Sequence, residues 1–257
     1  MATVFVTGSA DGIGRQTALM IAAAGHRVVL HARNEERARA AAAAVPASAV
    51  VVGDLASLAQ TRALAEAATD QGPFDAVVHN AGVDQSGARR RTVTEDGLEQ
   101  TFQVNVLAPY VLTALMPLPR RLIYLSSGLA WNGVIDLDDL QRERRRWSGG
   151  GAYCDSKLCD IALAFAVARR RPQVYSNAVC PGWVRSRMGG PHAPTDLATG
   201  AATQVWLATS DEPAALVTGR YWRHLSLLEA PPGVHDAELQ DGLLTACAQL
   251  SGVAMPD

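Results

Sequence analysis

The stretch Thr3-Val4-Phe5-Val6-Thr7-Gly8-Ser9-Ala10-Asp11-Gly12-Ile13-Gly14 decides the fold. Thr3–Val6 has the β-branched and aromatic composition of a buried strand, and Ile13–Ala24 beyond the glycines reads as helix. The glycines between them, spaced G-x-x-x-G-x-G, permit a tight turn. They also let backbone N–H groups at a helix N-terminus approach a pyrophosphate. A glycine turn can be purely structural. Its place between the first strand and first helix of a β-α-β unit favours a dinucleotide site, although the spacing is not the G-x-G-x-x-G of many such folds.

The same alternation continues outward along the chain. Strands are predicted at Arg27–His31, Ala49–Val52, Asp75–His79, Arg121–Leu125, Gln173–Val179 and Gly219–Trp222. Helices are predicted at Glu35–Ala44, Leu58–Thr69, Glu95–Leu115, Ala152–Arg169, Thr199–Ala208 and Ala237–Leu250. Strands apolar on both faces and separated by helices make a parallel sheet covered on both sides. The expectation is one Rossmann-type, doubly wound α/β domain over residues 1–257, with a mostly parallel seven-stranded sheet and no repeat or linker. Two connections are long: Gly128–Gly151, and the segment from Arg185 through Asp196 towards residue 210. Both leave the C-terminal edge of the sheet, where open α/β folds bind ligands.

Composition excludes several classes of function. Of 257 residues, 48% are hydrophobic and 19% charged, a globular balance that argues against disorder. The net charge of −2 points to neither nucleic acid nor an anionic membrane as a partner. The arginine clusters Arg89–Arg91, Arg142–Arg146 and Arg169–Arg171 read as solvated loops and helix ends. The four cysteines, Cys154, Cys159, Cys180 and Cys247, form no C-x-x-C pair, so neither a disulfide framework nor a metal site is expected. There is no apolar run long enough to span a bilayer and no leader-like start. The expected setting is soluble and cytoplasmic.

Tyr153 and Lys157, in Tyr153-Cys154-Asp155-Ser156-Lys157, stand one helical turn apart and share a face. A free phenol titrates near 10 and is a poor acid or base at neutral pH, whereas a neighbouring ammonium favours the phenolate. The pair therefore makes a tunable acid–base site, though the spacing also arises by chance. At the end of the second strand, Leu30-His31-Ala32-Arg33-Asn34 has Ala32 where an acidic partner for a ribose 2′-OH is expected, and Arg33 follows. An arginine there pairs with a 2′-phosphate, which favours NADP(H) over NAD(H). Glu35 and Glu36 read as first-turn residues of a helix capped by Asn34.

The glycine loop, Asn80-Ala81-Gly82, Asn105, Ser126-Ser127, Tyr153-x-x-x-Lys157 and Pro181-Gly182-Trp183-Val184 occur in this order on matching elements. The set resembles the short-chain dehydrogenase/reductase family over essentially the whole chain. Ile135-Asp136-Leu137-Asp138-Asp139-Leu140 and Tyr153-Cys154-Asp155-Ser156-Lys157-Leu158 are similar to its branch of retinol dehydrogenases and related carbonyl reductases.

The resemblance implies that Tyr153 exchanges a proton with the substrate oxygen, while Lys157 lowers the tyrosine pKa and binds the nicotinamide ribose. Ser127 would polarise the carbonyl, and Asn105 would hold a water relaying protons to Lys157. Gly8, Ser9, Asp11, Gly12, Ile13 and Gly14 would cradle the cofactor phosphates, and Asp54-Leu55 would bracket the adenine. Asn80, Ala81 and Gly82 would pass the adenosine ribose. Pro181, Gly182 and Val184 would lie against the nicotinamide, with Ser186 where the family usually has threonine. Family members commonly dimerise through the helices carrying Asn105 and Tyr153.

Trp131, Trp147, Trp183 and Met188 fall in or beside the long connections, where an apolar carbonyl compound would sit. The leading expectation is an NADP(H)-dependent carbonyl reductase or alcohol dehydrogenase acting on a hydrophobic small molecule. The alternatives are a silent NADP(H)-sensing protein, which has no need of Tyr153, and a non-redox epimerase or dehydratase, which usually has a longer C-terminal region.

Overall fold

In the computed structural model, which describes residues 1–256, the central strands are β1 (Thr3–Val6), β2 (Arg27–Ala32), β3 (Ala49–Val52), β4 (Ala76–His79), β5 (Arg121–Leu125), β6 (Tyr175–Val179), β7 (Arg220–Arg223) and β8 (Ser226–Leu228). They form one sheet in the order β3-β2-β1-β4-β5-β6-β7-β8, parallel except for the last pair. Val4 pairs with Val28 on one side and Ala76 on the other. Strand order therefore reverses between β1 and β4, and a crevice opens beyond their carboxyl ends.

The helices are α1 (Gly12–Ala23), α2 (Glu35–Ala44), α3 (Leu58–Thr69), α4 (Gln100–Phe102), α5 (Ala108–Leu115), α6 (Gly149–Arg170), α7 (Leu197–Thr209) and α8 (Ala237–Ser251). Strand alternation divides the core between the two faces of the sheet. Val4, Val6, Val28, Leu30 and Ile123 pack under α1, α2 and α7, while Phe5, Val29, Val77 and Tyr124 pack under α3, α5, α6 and α8. Each fully buried aliphatic side chain contributes about 1.5–3 kcal/mol, and α6 is buried at nearly every position from Ala152 to Ala168.

The sheet has eight strands rather than the expected seven. β8 returns antiparallel through His224 and Leu225, with φ of 48° and 62°. Left-handed φ at both central residues is the hairpin geometry that Asn-Gly normally signals, and neither residue advertises it. The predicted helix Glu95–Leu115 is also broken. Val93 and Glu99 form a bridge around Gly97, and the helix starts only at Gln100, where the Glu99 carboxylate accepts from the N–H groups of Thr101 and Phe102. Gln103–Leu107 is then a π turn. Pro109 lacks the N–H that the Asn105 carbonyl would receive in an α-helix, so the ladder changes register there.

The 128–151 connection is a braced insertion. Asp139 accepts hydrogen bonds from the N–H groups of Glu143 (2.6 Å), Arg144 (3.0 Å) and Arg145 (3.1 Å), and from Arg145 Nε (3.0 Å). Asp155 of α6 binds Arg142 at 2.7 Å and the N–H of Val134 at 2.8 Å. The insertion thus lies on α6, while α8 packs on α5 and α6, and Tyr110 of α5 donates to the carbonyl of Val253 at 2.9 Å. The helix faces expected to serve self-association are covered by the chain itself. No helix among the described residues is long and apolar enough to cross a membrane.

Candidate active site

A cleft of about 600 Å³ runs along the carboxyl edge of the sheet at the β1/β4 reversal. The glycine turn forms its floor. Gly8 has φ +62°, and a Cβ on Gly14 would meet Asn80 Nδ2 at 2.3 Å and the Gly8 carbonyl oxygen at 2.4 Å. Only glycine fits Gly14, because Asn80 Nδ2 is donating to the carbonyls of Thr7 (2.8 Å) and Gly8 (3.2 Å). The end of β4 is thereby stitched to the turn. Gly8, Asp11, Gly12, Ile13, Gly14, Arg33, Asp54, Leu55, Asn80, Ala81 and Gly82 line the cleft, with Tyr153, Lys157, Pro181 and Met188 further along it.

Some expected residues lie elsewhere. Ser9 is buried, and its hydroxyl accepts from the N–H of His31 at 2.9 Å, so it faces β2. Gly182 (φ +88°) packs against His224, and Val184 is buried against Gly200. Trp147 donates to the carbonyl of Ala88 at 3.0 Å and anchors the insertion, while Trp131 is exposed outside the cleft. Trp183 is exposed and donates to the carbonyl of Gly189 at 2.8 Å, bracing its own loop.

Three residues not expected at the cofactor from the sequence shape that end. His31 is buried; its Nδ1 accepts from the N–H of Gly8 at 2.9 Å, so Nε2 carries the proton towards the Gly53 carbonyl at 2.8 Å. Burial holds its pKa down and keeps the ring neutral. Arg37, in the first turn of α2, lines the cleft with Arg33 and contacts Asp11 at 3.4 Å. Arg187 reaches back from the loop after β6 to Asp11 at 2.8 Å. Partial burial works against the charge of Asp11, but the Gly12 N–H and the surrounding guanidiniums hold its carboxyl below the usual range. From the sequence Arg187 is considered only as a partner for a polar substrate group and set aside, and neither His31 nor Arg37 is marked for this end.

At the far end, α6 presents Tyr153 and Lys157 together, with Lys157 Nζ 5.8 Å from the centre of the Tyr153 ring. Ser126 Oγ donates to the Lys157 carbonyl at 2.5 Å and is occupied in joining β5 to α6. Ser127, the next residue, accepts from the Leu129 N–H at 3.2 Å, and its hydroxyl works against the upward shift of the Tyr153 pKa. Met188 Sδ lies 3.9 Å from the Tyr153 hydroxyl. Asn105 Oδ1 accepts from the Val83 N–H at 2.8 Å, and Nδ2 donates to the Val83 carbonyl (3.0 Å) and Ser156 Oγ (2.9 Å). The side chain is thus taken up in holding the 82–83 segment. Asn105 Oδ1 and Lys157 Nζ both flank Gly82, at 3.4 and 3.5 Å from a Cβ built there.

The electrostatics differ from expectation in one respect. Burial pushes the Tyr153 pKa up, Lys157 pulls it down, and Asp84 and Asp160 push it up again, leaving it above the ordinary value. Lys157 is the only lysine in the chain. It is buried, and it donates to Asp160 Oδ2 at 2.7 Å and to the Leu125 carbonyl at 2.8 Å. Desolvation works against its charge, and the Asp160 carboxylate beside it more than offsets that, holding its pKa above the ordinary value.

The arrangement places an acid–base pair and a hydroxyl donor at one end of a cleft that can hold a dinucleotide. A family model described as short chain dehydrogenase matches residues 2–136. An uncharacterized oxidoreductase, AN7799 of Emericella nidulans, is 40% identical over 264 residues, covering 100% of this chain and 99% of that protein. Human retinol dehydrogenase 13 is 32% identical, covering 99% of this chain and 86% of its own length. The crystal structure of a blue fluorescent protein from a metagenomic library in complex with NADPH superposes with a TM-score of 0.70 at 27% identity, covering 86% of this chain and 95% of that one. With a family model spanning over half the chain and full-length relatives well above 30% identity, the chain belongs to the short-chain dehydrogenase/reductase family of oxidoreductases, on its retinol dehydrogenase-like branch.

Proposed function

We propose that the protein is an NADP(H)-dependent oxidoreductase interconverting a carbonyl and a secondary alcohol on a hydrophobic small molecule, with Tyr153 as general acid and base. The observation that carries this reading is the meeting of Tyr153 and Lys157 at one end of the dinucleotide-sized cleft, with the Ser127 hydroxyl beside the phenol.

The residues present fit the cofactor. The turn that excludes a Cβ at Gly14 suits a pyrophosphate over the N-terminus of α1. Arg33 and Arg37 supply two guanidiniums for a 2′-phosphate, and no carboxylate stands at Ala32 to receive a 2′-OH. Asp54 and Leu55 border the adenine end, and Pro181 the nicotinamide end. The NADPH-bound structural relative supports the same assignment.

NADPH, when bound, supplies the hydride that reduces the carbonyl carbon. As that carbon gains two electrons, its oxygen becomes an alkoxide and takes the Tyr153 hydroxyl proton. Lys157 stabilises the phenolate left behind, and Ser127 donates to the oxygen as its charge grows. Asn105 holds the 82–83 segment beside Lys157 through both atoms of its amide. Met188, with Val83 and Val104, gives the reaction end an apolar wall.

The test is loss of NADPH absorbance with a panel of ketones, aldehydes and quinones. Tyr153→Phe should lower turnover by about 10²–10⁴-fold while leaving NADPH affinity in place. NADPH binding without turnover across the panel would favour a sensing protein instead.

A further inference from the structure

We propose that His31 is a positioning residue for the cofactor: its one imidazole ring fixes both the phosphate-binding turn after β1 and the start of the adenine-side segment after β3. This rests on the cofactor reading given above. It goes beyond that reading in naming the residue that holds the two binding segments at their spacing.

The geometry carries the inference. Gly8 is held from both sides, its N–H donating to His31 Nδ1 at 2.9 Å and its carbonyl accepting from Asn80 Nδ2 at 3.2 Å. Its φ of +62° turns the chain between those two bonds, and a Cβ there would meet the Ala81 Cα at 2.9 Å. Ser9 is tied to the same residue. Its N–H donates to the His31 carbonyl at 3.1 Å, and its hydroxyl accepts from the His31 N–H at 2.9 Å. The other ring nitrogen, Nε2, meets the Gly53 carbonyl at 2.8 Å, directly before Asp54 and Leu55. His31 thus joins the end of β1 to the end of β3 across its own strand, β2.

The role requires one tautomer of a neutral ring. Nδ1 accepts only without a proton, and Nε2 then donates to Gly53. A second proton would set a ring N–H against the N–H of Gly8. His31 is 2% exposed, and burial works against the cation. Asp54, after β3, is the charged group that favours the cation. From β1 the ring meets the backbone of Gly8, and from α3 Gln60, which accepts from the Asp54 N–H, is neutral.

Three variants separate the two ring bonds. His31→Leu makes neither. His31→Gln keeps an N–H at the Nε2 position for Gly53 and has no acceptor for Gly8. His31→Asn puts Oδ1 where Nδ1 stands and keeps that acceptor. In calorimetric titrations, His31→Leu and His31→Gln should each bind NADP⁺ about tenfold more weakly, and His31→Asn should recover most of the loss. NAD⁺ should weaken in parallel, because the turn serves the part that both cofactors share. Equal NADP⁺ affinity in His31→Gln and His31→Asn overturns the proposal. So does affinity that follows the melting temperatures of the three variants instead of the Gly8 acceptor, since that is the mark of a merely structural residue. Failure of the natural protein to bind either cofactor overturns the cofactor reading itself, and this proposal with it.

If the variants do not fold, the natural protein still tests the ring. In ¹⁵N-labelled protein, a coupling across the hydrogen bond from the Gly8 amide nitrogen to Nδ1 identifies His31. The ring should be the neutral Nε2–H tautomer from about pH 8 down to about pH 6.5, where an ordinary imidazole is half protonated. The coupling should persist with NADP⁺ bound. A cationic ring, an Nδ1–H tautomer or a coupling lost on NADP⁺ binding overturns the proposal. None of these measurements needs a substrate, so they stand apart from any failure to find turnover.

Discussion

Arg187 Nη2 lies 2.8 Å from Asp11 Oδ2, and this contact joins the loop after β6 to the glycine turn after β1 across the mouth of the cleft. The same loop carries Met188 to the Tyr153 hydroxyl, so one short segment touches both ends of the site.

Arg187→Ala should release this loop without unfolding the protein. Arg187 is 77% exposed, and exposed ion pairs contribute little to stability. The expected result is an unchanged melting temperature and an NADPH dissociation rate raised by up to about fivefold. Stopped-flow measurement at two salt concentrations checks this, since the difference from the natural protein should shrink as salt screens the pair.

Cofactor preference is expected to reside in two side chains. A charge-assisted hydrogen bond to phosphate is worth about 1.5–3 kcal/mol, so Arg33→Ala and Arg37→Ala should each weaken NADPH binding by about tenfold or more. NADH affinity should hold steady in both. Titration of the two cofactors by fluorescence separates the outcomes, and an equal loss for NADH would sink the assignment.

The insertion depends on Asp139. Burial works against its charge, but the N–H groups of Arg144, Arg145 and Glu143 and the Arg145 guanidinium hold its pKa at about 2. The folded state thus binds this proton more weakly than the unfolded chain does. Its stabilising contribution is present above the ordinary carboxylate range and is lost as pH falls towards about 2. Asp139→Ala leaves several donors unmatched and should cost about 1–3 kcal/mol. Faster tryptic cleavage among Arg142–Arg146 would report the loosened loop.

The covered faces of α5 and α6 bear on assembly. Because the insertion and α8 occupy them, light scattering coupled to gel filtration should return the mass of one chain. A stable dimer would mean that another surface is used.

Much of the site was legible because its signals are local. The glycine spacing, the one-turn interval from Tyr153 to Lys157 and the Asn34 cap all act within a few residues, and Asn34 does accept from the Arg37 N–H at 3.0 Å. His31 shows the limit of such reading. It contacts Gly8 and Gly53 across intervals of 23 and 22 residues, and nothing beside it in the chain marks it as a brace. Asp160 is an intermediate case. Its spacing from Lys157 was visible, but its effect depends on burial, which spacing does not encode.

By itself the sequence determined the parallel sheet, the order of its elements and the types of residue at the reaction end, because strand and helix periodicities and the glycine turn are short-range constraints. Tertiary structure alone decided which side chains reach the cleft. It turned Ser9, Trp131, Trp147 and Trp183 away and brought Arg187 across it, and it surrounded Lys157 with a counter-charge. The physical reason is that reach and electrostatics depend on distances through space and on exclusion of water, and both are set only when remote segments pack.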